Sequence, residues 1–347
     1  MIRLFRTGAH AHRTPMAYPA LRGLFARDLT EVARPAEADL ILFAHPLDVA
    51  DAPEAVVADW RARRRPVVIL SEEPFWDTLW GRRPLARHMT IDTRWGRLPV
   101  VQLTHATSAI FRFDAIPTYL LTNHRFASAY AARFARNAAL SPANWQERFA
   151  AAGADLTFMF ERRPGAFHSV RWPEGGIVGL CAWRTELAEA CTGPGVRRLG
   201  ASWQGGPSRF EIGNWHLDKL VRLDGATRML AAIENTHQPE YLTEKLFDAF
   251  ACGALPLYWA GPRHRLHGFA LPPESWLNLA EMEVEEAVEA IAAVRFDTAF
   301  FEAYTQAQAA LAARFGDTGL WVDERARLRR AVLEELTRVL DEHREIA

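Results

Sequence analysis

The densest group of chemically useful side chains lies in the string IENTHQPEYLTEKLFDAFACGALPLYWAGP, from Ile233 to Pro262. An acid–amide pair, Glu234 and Asn235, directly follows an apolar run that begins at Met229. That run predicts a strand, and ligands of open α/β sheets bind at the carboxyl ends of strands. We therefore expect Glu234 and Asn235 to face a ligand.

A helix is predicted to follow this pair. Thr243 is a suitable N-cap for a helix that opens with Glu244 and Lys245 and has apolar residues at helical spacing, namely Leu246, Phe247, Phe250 and Ala251. The unpaired amides and positive dipole end of the first turn, together with the Lys245 ammonium, predict a diphosphate site. Glu244 suits a sugar or ribose hydroxyl better. Gly253 as C-cap and a buried strand from Leu255 to Trp259 complete a nucleotide-binding unit.

The same string resembles the donor-binding signature of glycosyltransferase family 10, the α1,3/α1,4-fucosyltransferases. In that family a Phe-Glu-Asn-Ser/Thr segment is followed by Tyr-(Ile/Val)-Thr-Glu-Lys and by a small-residue turn into Pro-(Val/Ile). The residues that match in order and spacing are Glu234, Asn235, Thr236, Tyr241, Thr243, Glu244, Lys245, Pro256 and Pro262. Ile233 stands where the family usually has Phe. The resemblance extends from about Arg184 to Pro262, and it implies the GT-B architecture of two Rossmann-like domains facing a cleft.

The resemblance also implies which residues hold the diphosphate. Lys245 is one, and Arg184, which follows the predicted strand from Ile177 to Ala182, resembles the family arginine that clamps the phosphates. A guanidinium suits phosphate oxygens because it can donate two parallel hydrogen bonds. A surface ion pair of Arg184 with Glu186 or Glu189 is the alternative interpretation.

Three other signature residues are assigned to the donor. Asn235 is predicted to bond a phosphate or a sugar hydroxyl. Tyr241 is predicted to stack on or hydrogen-bond the nucleotide, with simple packing as the alternative. Glu234 is predicted to support the donor site indirectly, by holding Asn235 or Lys245 in place.

Transfer with inversion needs a general base that deprotonates the acceptor hydroxyl, and we expect a carboxylate in that role. Glu72 and Glu73 follow the predicted strand Pro66 to Leu70, in a place like that of the family's proposed base. Side chains alternate along an extended chain, so one of the two should reach the acceptor. The Glu-x-Pro form selects Glu72, which we favour, and the Glu-Pro form selects Glu73; an exposed acidic pair is the alternative. Trp76, beside them, is predicted to contact the acceptor sugar.

Composition and the absence of certain motifs argue against several other classes of function. The formal net charge of −1 argues against nucleic-acid binding, because no basic excess exists to neutralise phosphates. No Asp-x-Asp motif occurs. His10, His12, His264 and His267 lack a carboxylate or cysteine at convincing ligand spacing, so we expect them to be surface or packing residues. We therefore expect no metal or other cofactor, with the diphosphate neutralised by Lys245, Arg184 and the helix terminus. The three cysteines are expected to be reduced and buried.

The alternation of apolar runs with helical patterns predicts an α/β fold. In the amino-terminal part, the predicted strands are Met1–Phe5, Leu40–Ala44, Val67–Leu70 and Leu98–Leu103, and the predicted helices are Pro46–Arg63 and Phe126–Arg136. Segment 141–176 is rich in proline and glycine and is predicted as a linker. The expected domains are an acceptor-binding Rossmann-like domain (1–160), a donor-binding one (161–317) and a carboxy-terminal helix (318–347) that packs back across both. A homodimer contact is the alternative for that helix.

The resemblance to family 10 thus implies an inverting, metal-independent glycosyltransferase that moves L-fucose from GDP-fucose to a glycan or glycolipid hydroxyl, such as that of N-acetylglucosamine in a surface polysaccharide. The alternatives are a transferase for another GDP-linked sugar and a non-catalytic sugar-nucleotide-binding protein. A dehydrogenase is disfavoured, because no Gly-x-Gly-x-x-Gly loop follows a strand. No apolar stretch approaches the length of about 20 residues that spans a bilayer. We therefore expect a cytoplasmic enzyme, at most peripheral at the inner membrane face.

Overall fold

The computed structural model describes residues 1–205 and 211–346. The chain divides into two compact units, the first formed by residues 1–124 and 319–347 and the second by residues 125–318. Each unit contains a predominantly or wholly parallel sheet with helices, which confirms the prediction of an α/β protein with two Rossmann-like domains.

The sheet of the first unit has the strand order β2-β1-β3-β4-β6-β5, with antiparallel pairing only between β5 and β6. Its strands are β1 Ile2–Arg6, β2 Leu29–Glu31, β3 Leu40–Phe43, β4 Val67–Leu70, β5 His88–Thr93 and β6 Gly96–Leu103. Because β1, β3 and β4 are parallel neighbours, the segments that follow them meet at one edge of the sheet. The four predicted strands are present within one or two residues of their predicted ends.

The second unit has a parallel sheet of order β10-β7-β11-β13-β14 and a small antiparallel sheet of order β12-β9-β8. Its strands are β7 Leu156–Met159, β8 Arg171–Trp172, β9 Ile177–Gly179, β10 Val196–Leu199, β11 Met229–Ala231, β12 Thr236–His237, β13 Leu255–Tyr258 and β14 Leu277–Asn278. Thr236 pairs with Gly179 across β12 and β9, which brings the signature segment beside the loop that leads to Arg184.

The α-helices follow the same division. Those that precede the second unit are α1 Arg22–Phe25, α2 Pro46–Ala50, α3 Glu54–Arg63 and α4 Pro74–Trp76. Next come α5 His124–Ala138, α6 Pro142–Ala151, α7 Cys181–Ala190, α8 Ala201–Gln204, α9 Trp215–Leu223, α10 Glu244–Ala251, α11 Val284–Ala293 and α12 Thr298–Gly316. The last helix is α13, Thr318–Ile346. Among the described helices none is long and apolar enough to cross a membrane.

The predicted helix from Pro46 to Arg63 is interrupted between α2 and α3. Pro53, which directly precedes α3, has no backbone N–H and fixes its own φ, so it fits the start of a helix and not its interior. The interruption leaves α2 as a short segment at the end of β3. This shortening places Asp48 close to the sheet edge.

The segment predicted as a linker, 141–176, contains regular elements of the second unit. Ser141 forms a capping box with Asn144, and Pro142 occupies the first turn of α6, where a missing N–H costs little. β7 then pairs with β10 on one side and β11 on the other. The division between units lies at residues 124 and 125 and so differs from the predicted boundary after residue 160. The prolines mark turns and helix starts instead of a domain crossing.

Helix α13 belongs to the first unit. Glu335 accepts a hydrogen bond from Arg87 at 3.0 Å. Glu324 accepts one from the backbone N–H of Asp114 at 2.5 Å. The helix thus supplies buried carboxylates that bind groups of the amino-terminal part of the chain. It is therefore a component of the first unit and not a separate domain.

Candidate functional site

Glu234 lies at the centre of the signature segment in the second unit. Its Oε1 accepts hydrogen bonds from the Thr243 backbone N–H at 3.0 Å and from the Thr243 hydroxyl at 2.6 Å. Its Oε2 accepts one from Lys245 Nζ at 2.6 Å. The side chain of Glu234 is 3% exposed and that of Lys245 is 22% exposed, so Lys245 is the more accessible member of this pair. The predicted contact of Glu234 with Lys245 is present.

Helix α10 begins where the sequence predicts, with Thr243 as N-cap and Glu244 as the first helical residue. The Thr243 hydroxyl donates to Glu234 and accepts from Lys245 Nζ at 3.0 Å, so it does not cap the helix itself. The amino end of α10 therefore combines the positive end of the helix dipole with a fixed ammonium group. This combination suits a phosphate.

Glu244 is buried, and its Oε1 lies 3.6 Å from Lys245 Nζ. Burial would raise the pKa of its carboxyl, but the positive charges of Lys245 and Lys219 outweigh burial and lower the pKa. The lowered pKa favours an ionised Glu244, which can accept a hydrogen bond from a ribose hydroxyl. That role remains a prediction.

Arg184 lies in α7, directly behind Asn235. Its guanidinium donates to the Ile233 carbonyl at 2.9 Å and to Asn235 Oδ1 at 2.8 Å. Among the described residues, Asn235 Nδ2 makes no hydrogen bond, so its N–H groups are available to a ligand oxygen. Arg184 itself is buried. The structure thus presents Arg184 as the group that orients Asn235, and a direct clamp on the diphosphate remains a prediction.

The alternative interpretation of Arg184, a surface ion pair with Glu186 or Glu189, is wrong. Arg184 is not at the surface, and Glu189 instead accepts a hydrogen bond from Arg162 at 2.6 Å. The guanidinium carbon of Arg184 lies 4.5 Å from the centroid of the Phe160 ring. Its position is therefore fixed from several directions.

Asp248 anchors α10 from inside the second unit. It is fully buried and is bound by Lys219 at 2.8 Å, by His216 at 2.9 Å and by the Tyr130 hydroxyl at 2.7 Å. Burial would raise the pKa of Asp248, but Lys219 and His216 more than offset it and lower the pKa to about 2. The sequence analysis missed this network. The available signal was the spacing of four residues between Glu244 and Asp248, which puts two acids on one side of the helix.

Tyr241 is buried, and its predicted contact with the nucleotide remains a prediction. Its carbonyl oxygen lies 3.0 Å from His264 Nε2, while the Leu266 N–H donates to His264 Nδ1 at 3.1 Å. Burial lowers the pKa of His264 to about 3. His264 is therefore a neutral packing residue, as the sequence analysis expected.

In the first unit, Glu72 is held in a buried ion pair at the end of β4. Its Oε1 accepts hydrogen bonds from Arg13 Nε at 2.6 Å and from the Tyr18 hydroxyl. Burial would lower the pKa of Arg13, but the charge of Glu72 outweighs it and raises that pKa. The Glu72 carboxylate is thus already engaged by two donors, and its role as the base remains a prediction.

Glu73 is the N-cap of α4, and its Oε1 accepts from the Phe75 backbone N–H at 3.4 Å. Asp77, at the end of α4, is fully buried, and burial raises the pKa of its carboxyl well above the usual range. Both Glu72 and Glu73 are also buried, so the alternative of an exposed acidic pair is wrong. Three buried carboxyl groups therefore lie close together in the chain after β4.

Trp76 lies among residues that the sequence analysis left unassigned. Its ring is 4.9 Å from that of His10 and 4.6 Å from that of His45, and the Arg13 guanidinium lies 5.1 Å from its centroid. It is partly exposed. A sugar contact for Trp76 remains a prediction. In the part of the chain that the structure describes, no cluster of three or more His, Cys, Asp or Glu residues could hold a metal ion.

Residues 214–318 match the family model described as glycosyltransferase family 10 (fucosyltransferase), C-terminal. This segment belongs to glycosyltransferase family 10, and the chain is a glycosyltransferase. The matched region contains Glu234, Asn235, Tyr241, Glu244 and Lys245, and it ends where the second unit ends. No curated protein matches the sequence.

Solved structures resemble the chain only loosely. An α1,3-fucosyltransferase is 14% identical, with a TM-score of 0.42 over 89% of this chain and 80% of that chain. An α1,3-fucosyltransferase with GDP-fucose is 15% identical, with a TM-score of 0.42 over 88% and 81%. Anabaena HepE in complex with UDP is 12% identical, with a TM-score of 0.40 over 97% and 100%. At these scores the likeness says nothing of this chain's substrate.

Proposed function

We propose that this family 10 glycosyltransferase moves L-fucose from GDP-fucose, with inversion, to a hydroxyl of a glycan or glycolipid acceptor such as N-acetylglucosamine in a surface polysaccharide. The observation that carries the proposal is the group formed by Glu234, Thr243 and Lys245 at the start of α10. It lies within the segment that matches the fucosyltransferase family.

Each part of that group has a task. Lys245 and the amino end of α10 stabilise the negative charge that develops on the departing diphosphate. Glu234 fixes the ammonium, so little reorganisation is needed as the charge develops. Asn235 donates to a phosphate or a sugar hydroxyl, and Glu244 accepts from the ribose. The diphosphate is thereby neutralised without a required metal ion.

The acceptor must lose a proton as its oxygen attacks the anomeric carbon. We place the base among the side chains that follow β1, β3 and β4 in the first unit. Glu72 and Glu73 are the members of that set that the sequence predicts, and Trp76 is the predicted sugar contact.

Calorimetric titration in EDTA with GDP, GDP-fucose, GDP-mannose and a UDP-sugar tests the donor. We expect selective binding of GDP-fucose, and we expect Lys245→Ala to weaken it by about 10- to 100-fold, the value of a charge-assisted hydrogen bond. Arg222→Ala, on the exposed side of α9, is the control and should bind as the wild type does.

The other outcomes separate the alternatives. Preference for a different GDP-sugar would support the proposed diphosphate site and would replace fucose as the transferred sugar. Binding that requires a divalent ion would reject metal independence. Binding without any release of GDP would identify a non-catalytic sugar-nucleotide-binding protein.

A further inference from the structure

A histidine and a carboxylate that are far apart in the sequence meet at the edge of the first sheet. His10 follows β1, and Asp48 lies in α2, after β3. The His10 backbone N–H donates to Asp48 Oδ2 at 2.9 Å, and His10 Nδ1 lies 2.9 Å from Asp48 Oδ1. Asp48 thus holds both the main chain and the ring of His10.

The two side chains differ in exposure. That of Asp48 is 5% exposed and that of His10 is 36% exposed. Because the carboxylate is an acceptor, it selects the imidazole tautomer that carries its proton on Nδ1, which leaves a lone pair on Nε2. Among the described residues, Nε2 makes no hydrogen bond. An accessible imidazole oriented by a buried carboxylate is the arrangement that takes a proton from a substrate hydroxyl.

The backbone before His10 is shaped for this contact. Gly8 has a φ of 102°, and a Cβ at this position would overlap the Asp48 carboxylate. Only glycine combines that backbone conformation with such a close approach. The glycine at position 8 therefore allows the chain after β1 to lie close to Asp48.

Asp48 is the charged group that contacts the His10 ring, and the rings that face His10 are aromatic. The His45 ring stacks on it at 4.4 Å, and the Trp76 ring lies at 4.9 Å. His45 accepts from the Leu47 N–H at 2.9 Å, and burial lowers its pKa to about 4, so it is neutral near pH 7. Arg13, on Trp76, is already paired with Glu72, whose own carboxylate is thereby occupied.

We propose that His10, oriented by Asp48, is the general base that deprotonates the acceptor hydroxyl. The assignment rests on the proposed function. As the acceptor O–H bond breaks, its proton goes to His10 Nε2 and its oxygen forms a bond to the anomeric carbon. The bond from that carbon to the diphosphate breaks, and its electron pair leaves with the diphosphate. Asp48 is a positioning residue that stabilises the imidazolium.

Hydrolysis of GDP-fucose tests the assignment without knowledge of the acceptor, because water then supplies the hydroxyl. GDP release and GDP-fucose affinity are measured for His10→Ala, His10→Gln and Asp48→Asn, with the exposed neighbour His12→Ala as control. We expect His10→Ala to lower GDP release by about 100-fold or more, with GDP-fucose affinity unchanged. Asp48→Asn should have a smaller effect, and added imidazole should restore part of the rate to His10→Ala.

Two results would overturn the assignment. One is GDP release by both His10 variants within about threefold of wild type, which is well below the usual contribution of a general base. The other is a rate loss that follows entirely from lost GDP-fucose affinity, since a base acts on the rate. If the wild-type protein does not bind GDP-fucose, the proposed donor is rejected. If it binds GDP-fucose and never releases GDP, both the proposed function and the assignment of His10 are rejected.

Discussion

The signature group of the second unit and the strand-edge cluster of the first unit are assembled in different ways. Glu234 and Lys245 are separated by 11 residues, so one strand end and one helix start bring them together. His10 and Asp48 are separated by 38 residues, and Arg13 and Glu72 by 59. The first group is readable as a motif, whereas the second exists only after the sheet has formed.

The two regions also differ in what surrounds their charges. In the second unit, the anchor is the fully buried Asp248, whose carboxylate is bound by three side chains. In the first unit, the side chain of His10 is 36% exposed. We therefore expect changes in the Asp248 network to act mainly on stability and changes at His10 to act mainly on rate.

The largest effect on stability should come from Asp248→Asn. The change leaves Lys219 buried without its carboxylate and should lower the free energy of unfolding by about 3 kcal/mol, the usual cost of breaking a buried pair. Denaturant titration measures it. Asp218→Asn is the control, because the ion pair of Asp218 with Arg222 is exposed and should contribute less than about 1 kcal/mol.

Acid titration sharpens this prediction. The folded-state pKa of Asp248 is about 2, below the ordinary value of 3.8, so its stabilisation is complete above pH 3.8 and is lost as the pH falls towards 2. Wild type should therefore lose stability relative to Asp248→Asn across that window. If the free energies of unfolding of the two proteins fell in parallel with decreasing pH, the stabilising role of the Asp248 network would be contradicted.

Glu72→Gln should have the next largest effect on stability. Removing the charge leaves Arg13 without its carboxylate and should cost about 2 kcal/mol. Glu31→Gln is a matched control, since its partner Arg6 is paired with an exposed carboxylate. If His10 is the base, GDP release per folded molecule should change little. A loss of release as large as that of His10→Ala would restore Glu72 as the base.

The smallest effect should come from Thr243→Val. The variant removes the hydroxyl that donates to Glu234 and accepts from Lys245, which should cost about 1 kcal/mol and weaken GDP-fucose binding by a few-fold. Thr305→Val, which removes a hydroxyl bond within α12, is the control. Equal effects of the two changes on GDP-fucose affinity would show that the Thr243 hydroxyl has no special role.

Much of the second unit's site could be predicted because its evidence is local. The apolar run, the N-cap at Thr243 and the left-handed Gly253 fix the order strand, helix, strand within the signature string. The diphosphate clamp expected of Arg184 remains a prediction, and the structure adds the contacts that orient its guanidinium. Its partners Ile233 and Asn235 are about fifty residues away, and no pattern in the sequence reports that contact.

The first unit shows more clearly what cannot be predicted from the sequence. The sequence predicts His10 as a surface or packing residue, because no carboxylate or cysteine stands at ligand spacing from it in the chain. The Glu-x-Pro form favours Glu72 as the base, but neither that form nor the alternation of side chains along a strand tells which groups the side chain contacts. The parallel pairing of β1, β3 and β4 supplies both Asp48 for His10 and Arg13 for Glu72.

The sequence by itself determined the α/β class, the strands of the first unit and the donor signature, since these follow from periodicity, caps and closely spaced residue types. Only the tertiary structure decided the division at residue 124, the membership of α13 in the first unit and the partners of the buried acids Asp48, Glu72 and Asp248. The physical reason is that strand pairing joins segments distant in the chain. A carboxylate's proton affinity then depends on which charges that pairing brings to it.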